Sequence, residues 1–340
     1  MKKILFVLPL VAAMAMMTGG CLKVYYSKHV AFVPMPMHQE IDPVMGNWSV
    51  KLPFDDMNAG SFIFSRDENG VAKAFVLLRW GSPEWCVDVK VAGDTFSLRH
   101  AQHRVLIKGK VEGDKMVAEL AECDKDGKQK GDWKKFEGSR NAPACPFAST
   151  CQIKLGEPID LLKDGLDGWK TMDPNAKFGW VFKDGVLSNK LGLKPDGSWA
   201  GGGANLMSLK NDFQDFNLEY DVRVPKDSNS GVYLRGRFEC QVVDSFGKDV
   251  NRHHMAAYYG RVTPIVAAEK APGEWQHVSV TLFKRRMTVV LNGVTIIEDA
   301  ELTGVTGGAI DANIDAPGPI YLQGDHSDAD YKNMILRPAI

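Results

Sequence analysis

From Gly46 onward, apolar and polar residues alternate in short runs. These runs are Trp48–Leu52, Ser61–Phe64, Lys73–Leu78, Val87–Val91, Thr95–Leu98, Arg104–Lys108 and Lys115–Glu119. Successive side chains on a strand point to opposite faces, so each run offers one face to a core and one to water. Asn69-Gly70, Gly93-Asp94, Gly113-Asp114 and Asp126-Gly127 supply turn residues between them. Regular short strands with such turns predict a small antiparallel β domain, whether sheet, sandwich or barrel, over residues 41–140. Pro143, Cys145, Pro146 and Cys151 interrupt the pattern, and residues 141–155 are expected to form a linker. Alternation then resumes, with turn sites at Asp184-Gly185, Asn292-Gly293 and Gly307-Gly308. Val289–Ile297 has the form of a hairpin, with Asn292-Gly293 at a type I′ turn. Long helical periodicity is absent, so residues 156–340 are predicted to be a two-sheet β-sandwich and the chain all-β.

The sharpest split lies in Ser228–Gly247. Read as one strand, it places Val232, Leu234, Gly236, Phe238, Cys240 and Val242 on the core face. Tyr233, Arg235, Arg237, Glu239 and Gln241 share the other face, about 6–7 Å apart along the strand. In Asn217–Val224, Leu218, Tyr220, Val222 and Val224 face in, while Glu219, Asp221 and Arg223 face out. A solvated outer face with cross-strand ion pairs is the plain reading. A concave face that binds a polar ligand is the sharper one, since guanidinium forks and carboxylates bond hydroxyls well. Residue type alone leaves both open. Trp80, Trp85 and Trp133 can stack on sugar rings, although core or rim positions explain them more simply.

The 340 residues carry 41 basic and 42 acidic side chains, a formal net charge of -1. That balance gives no reason to expect a nucleic-acid partner. Lys2 and Lys3 precede an apolar run, Ile4–Met17, then Thr18, Gly19, Gly20 and Cys21. This is an export signal, too short for a stable membrane span of roughly 20 apolar residues. The small residues before Cys21 resemble a lipobox. The resemblance implies a signal peptide over 1–20, lipidation at Cys21, a tether over 21–40 and an envelope location on the periplasmic or outer-membrane face. The membrane is then met only through the lipid. Export permits disulfides, with Cys145–Cys151 and Cys86–Cys123 as candidate pairs whose connectivity the sequence leaves open. Cys240 is expected to pack as a small hydrophobe. No cysteine or histidine group has zinc-ligand spacing.

Several ordered motifs in residues 156–340 resemble the 3-keto-disaccharide hydrolase family. They are Asp167–Trp169, Asp184–Leu187, Ser230–Arg235, Glu239–Asp244, Ala257–Gly260, Pro272–Trp275, Val290–Val294 and Gly318–His326. Two positions depart from the family pattern. Tyr331-Lys332-Asn333 replaces the usual Phe-Arg-Asn, and Ser327 follows the histidine where glycine is common. The resemblance implies a concanavalin-A-like sandwich, or jelly roll, acting on glycosides oxidised at C3. A C3 ketone acidifies the C2 hydrogen, so a base can remove it, the C1 substituent can leave by elimination and water can add back.

The family positions imply candidate roles. Glu239 or His326 is the expected base, Arg235 the enolate stabiliser, and Asp244 an orienting residue or ligand to a divalent cation such as calcium. No other cofactor is expected. Gln241, Arg237 and Gln323 are expected to bind the substrate, and Tyr259 to donate to the leaving oxygen. Tyr258 and Tyr259 alternate faces, so at most one serves the site, and Trp275 is expected in the core. Activity is therefore expected to lie in the second domain. The competing class is a non-catalytic, lectin-like carbohydrate-binding lipoprotein, because this sandwich fold does not by itself imply chemistry. A two-carboxylate endo-glucanase ranks lower, since Glu239 has no carboxylate partner at 237 or 241.

Overall fold

The computed structural model describes residues 42–340. The expected signal peptide, tether and lipidation site at Cys21 lie outside them. The first β domain is a nine-stranded antiparallel sheet. All seven runs picked out above form strands in it. The sheet's two end strands, Glu84–Trp85 and Val87–Ala92, are separated by Cys86 alone, so the sheet wraps back on itself. Its interior is one apolar cluster built around Trp48, Val50, Phe62, Phe64, Phe96, Ile107 and Phe136.

The strand Lys134–Arg140 closes this sheet by pairing with both Gly46–Lys51 and Lys115–Glu122. It carries a single fully buried side chain, Phe136. Its pattern was therefore too polar to be read as a strand. Residues 141–155 lie against the second domain: Thr150 N–H donates to Asp299 at 2.8 Å, and the Thr150 and Thr288 hydroxyls are 2.6 Å apart.

The second domain is a sandwich of an eight-stranded and a five-stranded antiparallel sheet. Leu218, Tyr220 and Val222 from the larger sheet meet Val232, Leu234, Cys240 and Val242 from the smaller in one core. Inward faces of both sheets thus alternate with outward ones, as a two-sheet sandwich requires. Asn292 and Gly293 both have positive φ, 52° and 82°, and join Leu291 to Val294 as the expected two-residue turn.

Three sequence expectations change here. Ser228–Gly247 is a hairpin rather than one strand: Asn229–Leu234 turns through Arg235 and Gly236 into Phe238–Val243. All five described cysteines are free thiols, so neither candidate disulfide forms. Trp275 is not in the core but sits half-buried between Arg223 and Lys332, at 4.7 and 4.2 Å from its ring.

Candidate active site

The outer face of the smaller sheet forms the floor of a cavity of about 350 Å³. Three adjacent strands build it, Tyr321–Leu322, Asn229–Leu234 and Phe238–Val243. Their registers align Tyr321, Tyr233 and Glu239 in one row. The next row runs Gln323, Gly231, Gln241, because Gln323 N–H donates to the Gly231 carbonyl and Gly231 faces Gln241. Directly opposed side chains on such strands start about 4.5–5.5 Å apart. Tyr233 and Tyr321 stack, with ring centroids 4.2 Å apart and planes 15° from parallel.

Gly231 lies at the centre of this floor. A Cβ there would come within 2.4 Å of Glu239 Oε1, so the carboxyl leans into the hollow that the glycine leaves. The neighbouring segment continues the site, since Tyr259 N–H donates to the Glu239 carbonyl at 3.0 Å. Tyr259 then lines the cavity, whereas Tyr258 is buried with its hydroxyl on the Gly304 carbonyl. Thr306 holds the far side: its hydroxyl accepts from Glu239 N–H at 3.1 Å. Gly307 and Gly308 follow it along the wall, and the Tyr233 hydroxyl donates to the Gly307 carbonyl at 2.7 Å.

Glu239 is 3% exposed. Burial pushes its carboxyl from an ordinary 4.5 to about 8, with the Tyr233 hydroxyl opposing the shift and the Asp325 charge adding to it. His326 Nδ1 lies 2.5 Å from Asp325 Oδ1. That bond raises the imidazole above its ordinary value, and partial burial opposes the rise. Among the described residues, His326 is the one basic side chain lining the cavity. Asn229 Oδ1 and Gln323 Oε1 are buried acceptors with no donor among the described residues. Such atoms suit the hydroxyls of a polar ligand, because an unpaired buried polar atom costs about 1–3 kcal/mol.

Both departures from the family pattern form bonds around this floor. The Ser327 hydroxyl donates to the Asn229 carbonyl and accepts from Asn229 N–H, at 2.7 and 2.6 Å, fixing the His326 loop to the strand. The Tyr331 hydroxyl is 2.7 Å from the Ser230 hydroxyl beneath the sheet.

The structure therefore gathers Glu239, Gln241, Tyr259, Gln323 and His326 into one cavity. It does not bring Arg235, Arg237 or Asp244 there. Arg235 is fully buried in the hairpin turn, over the Phe238 ring and bonded to the Ile314 carbonyl. Arg237 forks onto Asp311 and also donates to the Arg235 carbonyl, so it fastens the loop that follows. Asp244 accepts from Asp227 N–H at 2.9 Å. For the two arginines the cause is the turn, since parity counting holds for paired residues on either side of it but not for residues within it; Asp244 follows the end of Phe238–Val243. Among the described residues, no group of three or more His, Cys, Asp or Glu side chains is placed to hold a metal ion.

Sequence reasoning missed Asn229, Asp325 and Tyr321 as cavity residues, although Tyr321 and Asp325 lie in a quoted motif. It also set aside Trp80, which lines the cavity with Gly81 from the first domain. Hollows of about 380 and 980 Å³ elsewhere contain no histidine and no buried carboxyl.

Among solved structures, the chain is similar to two candidate glycosyl hydrolases of Parabacteroides distasonis ATCC 8503. One is 20% identical with a TM-score of 0.41, covering 59% of this chain and 94% of its own. The other is 21% identical with a TM-score of 0.42, covering 54% and 100%. A carbohydrate-binding module of Bacillus subtilis is similar at 13% identity and a TM-score of 0.31, covering 49% and 93%. No curated protein matches the sequence. The model of one family, described as the 3-keto-alpha-glucoside-1,2-lyase-like domain, matches residues 158–337. Those residues contain both sheets of the sandwich and the floor of the cavity, and the chain belongs to this family of carbohydrate-active domains.

Proposed function

We propose that the protein cleaves glycosides or disaccharides oxidised at C3, by elimination across C1–C2 followed by hydration. The observation that carries this reading is the Glu239 carboxyl buried at the floor of a polar cavity, where desolvation pushes it up to about 8. A base tuned near the working pH abstracts a carbon-bound proton best. Glu239 takes the C2 proton, and the electron pair passes into the enolate of the C3 ketone. His326, kept basic by Asp325, takes the enolate-stabilising role expected of Arg235. A pre-placed cation at a developing oxyanion lowers the barrier most when water is excluded.

As the C1–oxygen bond breaks, the leaving oxygen receives a proton from Tyr259. The products are an alcohol and a sugar with a C1–C2 double bond. Water adds its oxygen to C1 and gives a proton back to Tyr259, while Glu239, its proton exchanged with solvent, protonates C2; the free 3-keto sugar leaves and both side chains are restored. Gln241, Gln323 and Asn229 hold the ring hydroxyls. Asp325 favours a second reading, since it supplies the second carboxylate that an ordinary glycosidase needs. Its short bond to His326 argues for the first.

Incubation of the pure protein with a 3-keto-glucoside and with its unoxidised parent separates them. Release of the aglycone from the oxidised substrate alone is expected. Release from the parent alone would favour the glycosidase, and release from neither would leave a binding protein.

A further inference from the structure

We propose that the first β domain completes the substrate site and that Trp80 is a stacking platform for the group leaving from C1. This rests on the 3-keto-glycoside reading of the cavity. After the strand Ala72–Leu78, residues 79–84 run into the sandwich, and Trp80 and Gly81 line the cavity. Gly308 N–H donates to the Arg79 carbonyl at 2.9 Å. A Cβ on Gly307 would come within 2.2 Å of the Gly81 carbonyl oxygen, and one on Gly260 within 2.5 Å of Ser82 Cβ. Backbones approach so closely only at glycine. Arg252 of the sandwich reaches both carboxylate oxygens of Glu84 at 3.2 Å, and Ala59 and Leu77 of the first domain join the sandwich core.

Trp80 is set in place before any ligand arrives. Arg79 and Gly81 on either side have positive φ, 59° and 72°. The Arg79 guanidinium lies 5.2 Å from the Trp80 ring and 5.0 Å from that of Phe54, and it pairs with Asp56 at 3.1 Å. The indole nevertheless remains 41% exposed. A large apolar ring held rigid and partly open on a polar cavity contributes contact at little ordering cost. The apolar C–H face of a sugar, or an aryl group, fits it. The groups that serve the oxidised ring, Glu239, Gln241, Gln323 and His326, all come from the sandwich. The ring carried in by the other domain is therefore assigned to the group beyond C1.

The test compares kcat/KM for a 3-keto-disaccharide with that for methyl 3-keto-glucoside. Trp80→Ala should lower the disaccharide-to-methyl ratio about tenfold, mainly through KM, equivalent to about 1.4 kcal/mol. Trp80→Phe should restore most of it. An unmoved ratio, whether both substrates suffer equally or neither does, would overturn the platform. Calorimetric binding of the unoxidised disaccharide, which needs no turnover, should weaken about tenfold in Trp80→Ala. If wild type cleaves neither keto substrate yet the variant loses this affinity, the lyase reading fails and the platform stands. If wild type cleaves both and the ratio is unmoved, the platform fails and the lyase reading stands.

Discussion

Glu239→Gln is expected to lower turnover of a 3-keto-glycoside by about 10²–10⁴-fold, the usual contribution of a positioned base. The amide keeps the shape of the side chain but cannot accept the C2 proton. The pH dependence follows from the same group. Wild-type kcat/KM should climb as Glu239 loses its proton, through about pH 8, and that limb should vanish in the variant. Stability moves in the opposite direction. The folded-state carboxyl holds its proton more tightly than the unfolded one, so the folded state loses stability as pH rises from 4.5 through about 8. Ionisation in the buried site costs about 5 kcal/mol across that window. Glu239→Gln should match wild type in acid and unfold at higher denaturant above pH 8. Wild-type turnover in the variant would remove Glu239 from the chemistry, and equal alkaline stability would mean the carboxyl is not strained by burial.

Phe238→Ala is expected to do the reverse. Phe238 neighbours Glu239 in the chain but faces the core, fully buried and edge-on to Tyr258 with centroids 6.3 Å apart. Removing its ring should cost about 3–5 kcal/mol by leaving a cavity. The ring also lies beneath the Arg235 guanidinium, whose Nε and Nη1 have no acceptor among the described residues, so its loss leaves that buried cation without its face contact. Denaturant titration gives the stability, and turnover per folded molecule should stay near wild type. A stable but inactive variant would contradict the division between the two faces of this strand.

That division was legible in the sequence because strand parity is a local property. Val232, Leu234, Phe238, Cys240 and Val242 all lie in the core as counted, and Tyr233, Glu239 and Gln241 line the cavity. Parity failed for Arg235 and Arg237 because they belong to the turn. Arginine at positive φ is uncommon, and Arg235-Gly236 lacks the asparagine that marked Asn292-Gly293. His326 was legible through its motif. Its partner Asp325 stood beside it, but nothing local distinguished a paired carboxylate from a turn residue.

Trp80 was not legible for a different reason. Gly308 beside its ring and Tyr233 in the same cavity lie more than 150 positions away, and an isolated tryptophan between strands carries no trace of them. The glycines that admit the loop were visible, yet a glycine read alone signals only a turn. Arrangement of the two domains was likewise invisible, since the alternating pattern describes each sheet and not its neighbour.

The fate of the C2 hydrogen tests the central claim most directly. The wild-type protein would be given a 3-keto-glycoside in deuterated water, and the sugar product followed by NMR during the first turnovers, with free 3-keto sugar alone as the control for spontaneous exchange. Elimination and hydration require the C2 protium to disappear in step with aglycone release, replaced by deuterium in the hydrated product. Aglycone release with C2 protium fully retained would mean direct displacement at C1, and Glu239 would not be removing that proton.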